Sequence, residues 1–252
     1  GKSAGGGKVG EGEPGVHSAG ISTCCGDAEF MIRITYLSHS GFLVELDTAY
    51  LLFDYYKGDL PELNTGKKFY VFVSHAHYDH FKKDIFKLRE YLPDVYFILS
   101  NDAEPDGGGD VMHIGPNEER NVDGCKIRTL RSTDEGVAFL VEYDGSILYH
   151  AGDLNWWHWE EESKVYNTMM RRNYQHEINK LHGVKIDAAF VPVDPRLGEQ
   201  YYWGLDCFMK RTETRAVFPM HFWGNYGIFD RLALEKNTEE YADKIYRIEK
   251  EG

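Results

Sequence analysis

The run Phe69-Tyr70-Val71-Phe72-Val73-Ser74 ends directly in His75-Ala76-His77-Tyr78-Asp79-His80, and this junction constrains the chain more than any other. Six apolar-rich residues with no polar alternation predict a strand buried on both faces, so its sheet must be covered on each side. A layered α/β fold satisfies that requirement. Four potential metal ligands then fall within six residues at the strand's exit, where a loop can aim its side chains into one cleft. Imidazoles with a carboxylate suit Zn²⁺, Mn²⁺ or Fe better than Mg²⁺ or Ca²⁺, which prefer oxygen-only shells.

The surrounding pattern supplies the rest of the layers. Residues 31–37, 41–46, 49–54, 95–100, 126–130, 137–143, 146–150, 186–193 and 216–220 read as strands. The turn pair Asp144-Gly145 joins two of them. Helices are expected over 84–91, 160–182 (apolar at Val165, Met169, Ile178 and Leu181), 199–211, 231–236 and 238–244. Strand-rich halves followed by helices predict two facing sheets with helices outside.

Residues 1–30 differ in kind. Nine of the thirty are Gly, apolar residues are sparse, and the segment is read as a flexible leader to a domain spanning 31–252. Its Gly5-x-Gly7-x-x-Gly10 matches a dinucleotide fingerprint formally, but no strand precedes it.

Charge and cysteine content narrow the partners. A net charge of −13, from 41 acidic and 28 basic residues with no basic run longer than two, opposes nucleic-acid binding. No apolar stretch approaches the ~20 residues of a membrane span, and no signal-peptide pattern is present. Cys24, Cys25, Cys125 and Cys207 show neither zinc-ribbon nor redox spacing. A soluble, cytoplasmic protein acting on a small molecule is expected; the sequence carries no signal for an oligomeric state.

The motif Ser74-His75-Ala76-His77-Tyr78-Asp79-His80 resembles the H-x-H-x-D-H signature of the metallo-β-lactamase superfamily. Other pieces follow in that family's order. Tyr149-His150-Ala151-Gly152-Asp153 is similar to the segment whose Asp bridges two metals, and Phe218-Pro219-Met220-His221 to the last ligand segment. Tyr36-Leu37-Ser38-His39-Ser40-Gly41-Phe42 resembles the opening strand of the Zn-dependent hydrolase subgroup that includes ascorbate-6-phosphate lactonase.

The resemblance covers roughly residues 31–225 and implies a four-layer αββα sandwich holding one or two Zn ions, with Mn or Fe as alternatives. It implies that His75 and His77 bind a first metal, that Asp79, His80 and His221 bind a second, and that Asp153 lies between them. Asp79 doubles as the catalytic carboxylate, while Asp54 and His39 are outer supports. One departure stands out. The family's third histidine for the first metal is absent from Arg131–Phe139, where Asp134 stands as a substitute ligand; His39 and His113 are other sources.

Cations held this way lower the pKa of water toward ~7, which implies hydrolysis of an ester, lactone or phosphodiester bond. A non-catalytic metal-binding protein of the same fold is the alternative. Trp156, Trp157, Phe222 and Trp223 follow ligand motifs closely and are expected to wall a substrate pocket, with Arg196 beyond a strand end as its cation.

Overall fold

The structure, a computed structural model, describes residues 17–25 and 28–249. Seven strands lie side by side in chain order: β1 (His17–Cys25), β2 (Ala28–Ser38), β3 (Gly41–Glu45), β4 (Ala49–Phe53), β5 (Lys68–Val73), β6 (Val95–Ser100) and β7 (Val111–Ile114). Pairing is antiparallel from β1 to β4 and parallel from β4 to β7.

The second half of the chain gives β8 (Glu119–Val122), β9 (Cys125–Arg131), β10 (Val137–Tyr143), β11 (Ser146–His150), β12 (Lys185–Ile186), β13 (Ala188–Pro192), β14 (Glu213–Thr214) and β15 (Val217–Met220). Its six-stranded sheet runs β15-β13-β11-β10-β9-β8, and β12 and β14 form a small ribbon. Within it β11, β13 and β15 are parallel.

Side-chain parity along β5 explains the layering. Tyr70 and Phe72 point into the core between the sheets, whereas Phe69, Val71 and Val73 point outward onto Ile85, Phe86 and Leu88 of a 3₁₀ segment, Lys83–Glu90. Both faces are therefore dry, as the unbroken apolar run predicts. Between the sheets, Phe42 meets Phe190 at 4.4 Å and Phe72 meets Phe139 at 5.2 Å. Each such buried ring contributes about 1.5–3 kcal/mol.

Helices α1 (Lys164–Asn179), α2 (Trp203–Met209) and α3 (Ile228–Leu234) follow in the second half of the chain. Tyr149 of β11 stacks on Phe208 of α2 at 4.8 Å, so α2 covers the outer face of the six-stranded sheet. The result is the expected αββα sandwich.

Several boundaries differ from the sequence pattern. Residues 1–16 lie outside the described residues, but the sheet begins inside the segment read as a leader, because β1 pairs with β2 from His17 to Cys25. α1 starts at Lys164 rather than residue 160, since the Ser163 side chain accepts the Tyr166 amide as its cap. Its buried stripe is Met170, Tyr174, Glu177 and Ile178; Val165 and Met169 are exposed. The single helix expected over 199–211 is instead a 3₁₀ segment, Pro195–Gln200, interrupted by Gly198 at φ 62°, followed by α2. The turn at Asp144 and Gly145, with φ 48° and 80°, is the expected hairpin geometry.

Candidate metal centre

Parallel strands leave their carboxyl ends at one edge, where α/β folds gather ligands. Asp54 follows β4, Ser74 and His75 follow β5, Asp153 follows β11, Asp194 follows β13 and His221 follows β15. The β2–β3 turn adds His39.

Three of these positions, and nearby Trp223, have unusual backbone. His39, Asp54, His221 and Trp223 hold φ of 53°, 44°, 64° and 54°. Side-chain-bearing residues adopt that region at a cost of about 1–3 kcal/mol, and such residues cluster at functional sites. Gly152, at φ 52°, lets the β11 loop close on Ser74: a Cβ there would stand 2.7 Å from the Ser74 Cβ.

Hydrogen bonds fix which ring nitrogen of each histidine is free. Buried Asp54 accepts the Ser74 amide at 2.7 Å, the Ser74 hydroxyl at 2.6 Å and His80 Nδ1–H at 2.7 Å. With its proton given to Asp54, Ser74 Oγ accepts His75 Nδ1–H at 2.9 Å. On the opposite wall, Asp194 accepts His221 Nδ1–H at 2.8 Å and Trp223 Nε1–H at 3.1 Å. In their neutral form all three imidazoles thus turn the Nε2 lone pair inward.

Those atoms converge on one carboxylate. The Nε2 atoms of His75, His80 and His221 stand 3.3, 3.2 and 3.3 Å from the Asp153 oxygens. His39 Nε2 lies 3.3 Å from Asp79. Nε2 of His39, His75 and His80 and Oδ1 of Asp153 are buried without a hydrogen-bond partner, which is costly unless something else binds them. Two ligands ~2.05 Å from a tetrahedral zinc ion stand about 3.3 Å apart, so the spacing and the orphaned atoms both fit a cation between them.

Two groups that could each hold a metal ion result, His39, Asp79, His80 and His221 in one and His75, His77 and Asp153 in the other, with the donor atoms of each group within 4.8 Å of one another.

Charge coupling within the cluster is strong. Burial pulls the His80 imidazole down, but Asp153 and Asp54 overcome it and raise it well above the ordinary value. Burial likewise opposes His221, which Asp153 and Asp194 raise. Burial would lift Asp153, yet His80, His221 and His75 hold it well below the carboxylate range. Asp79, lifted by burial and lowered more by His39 and His80, falls to about 2.

The structure brings His75, His77, Asp79, His80, Asp153 and His221 together and sets Asp54 behind them. His39 differs from its expected supporting place: its Nε2 belongs to the ligand group itself. Asp134 and His113 are in neither group. His150, inside the motif, has both nitrogens engaged, Nε2 donating to the Ser40 carbonyl at 2.8 Å and Nδ1 accepting the Gly152 amide at 3.1 Å.

The expected pocket residues divide. Trp157 lies edge-on to His221 at 5.4 Å and donates to the Asp153 carbonyl at 2.9 Å; Trp223 lies 4.5 Å from His39. Trp156 turns the other way, against Trp203 and Tyr174, into a separate cavity of about 750 Å³ that borders α1 and α2. Phe222 is fully buried against Tyr36 and Phe229. Arg196 is held by Asp194 through Nε and Nη2 and lies over Trp223 at 4.6 Å.

Asp194 was the residue sequence reasoning missed. Its signal was present: Phe190-Val191-Pro192-Val193-Asp194 repeats the apolar-strand-then-carboxylate pattern of Leu51-Leu52-Phe53-Asp54.

A family profile described as "Beta-lactamase superfamily domain" matches residues 33–167, more than half of the chain. A UPF0173 metal-dependent hydrolase from Opitutus terrae is 31% identical over 218 residues, covering 77% of this chain and 86% of the relative. Another from Pyrococcus abyssi is 26% identical over 211 residues, covering 76% and 85%. Among solved structures, a metallo hydrolase from Ignicoccus hospitalis superposes with a TM-score of 0.58 at 18% identity, covering 88% of this chain and 96% of that one. The metallo-beta-lactamase fold protein YhfI from Bacillus subtilis gives 0.54 at 15%, covering 85% and 90%. Both share the fold.

Proposed function

The chain belongs to the beta-lactamase superfamily, and we propose that within it the chain is a metal-dependent hydrolase that uses water to cleave an ester, lactone or phosphodiester bond of a small molecule. The observation that carries this reading is the convergence of three outward-braced Nε2 atoms on the Asp153 carboxylate at 3.2–3.3 Å. His75, His77 and Asp153 would hold one cation, and His39, Asp79, His80 and His221 the other, with Zn²⁺ the best match to this donor set and Mn²⁺ or Fe the alternatives. Bound there, the cations supply Lewis acidity, polarising the bond to be cleaved and making water more acidic.

The protein's own groups do the rest. Asp79, ionised at neutral pH, accepts a proton from the attacking water and returns it to the leaving group. Asp54 and Asp194 keep the histidine rings in register. Trp157 and Trp223 flank the centre, and the Arg196 guanidinium, pinned by Asp194 with its side chain half exposed, offers a fixed positive charge to an anionic substrate.

The net charge of −13 supports a small substrate over a polyanion. Among the described residues no helix is long and apolar enough to cross a membrane. The buried free thiols Cys125 and Cys207 fit the reducing cytoplasm.

The test is hydrolysis of bis-p-nitrophenyl phosphate and a lactone panel by metal-stripped protein reconstituted with Zn²⁺ or Mn²⁺. Turnover should require the metal and fall ~10²–10⁴-fold in Asp79→Asn. Absence of turnover with either cation across the panel would refute the reading.

A further inference from the structure

The two ligand groups are unequal. One gathers three imidazoles and Asp79, whereas the other has only His75, His77 and Asp153, one protein donor short of a closed four-ligand set. His75 Nε2 and Asp153 Oδ1 in the shorter group are buried and unpartnered.

Beside His75 runs the β9–β10 loop, anchored by Thr133, whose hydroxyl donates to the Asn155 carbonyl at 2.6 Å, and by a close backbone approach at Gly136. Gly136 has φ 72°, and a Cβ on it would run into the Ser74 carbonyl and stand 2.6 Å from the His75 Cβ. The Val137 amide donates to that same carbonyl at 2.9 Å. The loop is thereby clamped against the exit of β5, and it presents Glu135 Oε2 3.2 Å from His77 Nε2. That separation equals the spacing of the other donor pairs, 3.2–3.3 Å.

We propose that Glu135 is the fourth protein ligand of the first site, closing it with an oxygen donor in place of an imidazole. The inference rests on the metal-centre reading above. The first site then has two imidazoles and two carboxylates, and the second three imidazoles and Asp79. Carboxylates suit Mn²⁺ and imidazoles suit Zn²⁺, so the first site is the one that tolerates Mn²⁺ while the second holds Zn²⁺. Neither loop carboxylate is within either ligand group as the side chains stand, but Glu135 is the one paired with a ligand imidazole, His77, while Asp134 has its amide tied to Ser132 Oγ at 3.1 Å.

The probe is Mn²⁺ added to metal-stripped protein preloaded with one equivalent of Zn²⁺, with free Mn²⁺ read by electron paramagnetic resonance. Glu135 is exposed, so Glu135→Gln should fold normally, keep the Zn²⁺ equivalent and weaken Mn²⁺ binding at least ~10-fold, the low end for losing a metal-supporting group. Asp134→Asn should stay within about threefold, and Glu135→His should shift the site toward taking a second Zn²⁺ instead of Mn²⁺. Unchanged Mn²⁺ affinity in Glu135→Gln, or a loss carried by Asp134→Asn alone, overturns the assignment while leaving the metal centre standing. Failure of the wild type to take up even the first Zn²⁺ equivalent sinks both.

Discussion

Replacing Asp54 by Asn changes almost no volume but inverts a hydrogen-bond polarity deep under the second ligand group. Asp54 is fully buried and accepts three donors, from the Ser74 amide, the Ser74 hydroxyl and His80 Nδ1. Asparagine has one acceptor oxygen. If that oxygen keeps the Ser74 amide, its NH₂ group faces His80 Nδ1, which must then become the acceptor. The proton moves to Nε2, the atom aimed at Asp153, and that nitrogen no longer has a lone pair to give.

Loss of such a supporting partner weakens metal binding roughly 10–100-fold, which is about 1.4–2.7 kcal/mol. Competition of the metal-stripped variant against a chromophoric Zn²⁺ chelator measures this directly. Asp194→Asn should behave alike through His221 Nδ1. Wild-type Zn²⁺ affinity in Asp54→Asn would refute the claim that the carboxylate sets the tautomer.

Two further outcomes follow from the same geometry. Neighbouring carboxylates raise His80 and His221 above the ordinary imidazole value in the metal-free protein, so both hold their protons to higher pH than a free imidazole and a cation must compete with those protons. Zn²⁺ affinity should therefore fall as pH falls and rise until pH exceeds the raised values. Calorimetry in buffers of different ionisation enthalpy should show proton release at pH 7, and buffer-independent heats would contradict it. Gly136→Ala forces a side chain at positive φ into the Ser74 backbone and should destabilise folding by about 2 kcal/mol or more. Gly183→Ala, also at positive φ but with open space around it, should cost only ~1–2 kcal/mol in the same denaturant titration.

The layers were legible because burial leaves a periodic trace. The unbroken run of β5 announces two covered faces, and Asp144-Gly145 announces its hairpin. β1 escaped detection because it is an edge strand, paired with β2 alone, and it is built of small residues with little alternation. The ligands in H-x-H-x-D-H were legible for a chemical reason, since few other roles need so many imidazoles at a strand exit.

What the sequence hides is direction inside a loop. Trp156 and Trp157 are neighbours, as are Phe222 and Trp223, and in each pair one ring meets the histidines while the other packs away from them. Parity can be read along a strand, but not where the backbone turns. Which group His39 joins is set by the β2–β3 turn meeting the β15 exit, where the His221 amide donates to the His39 carbonyl at 3.3 Å.

The account stands on two cations, one held by His75, His77 and Asp153 and the other by His39, Asp79, His80 and His221. Anomalous diffraction at the zinc edge, from crystals grown with Zn²⁺, would locate them without reference to activity. Two peaks ~3.5–4 Å apart, flanking the Asp153 carboxylate with His221 on one of them, are predicted. A map with no peak within bonding distance of Asp153 and His221 would contradict it.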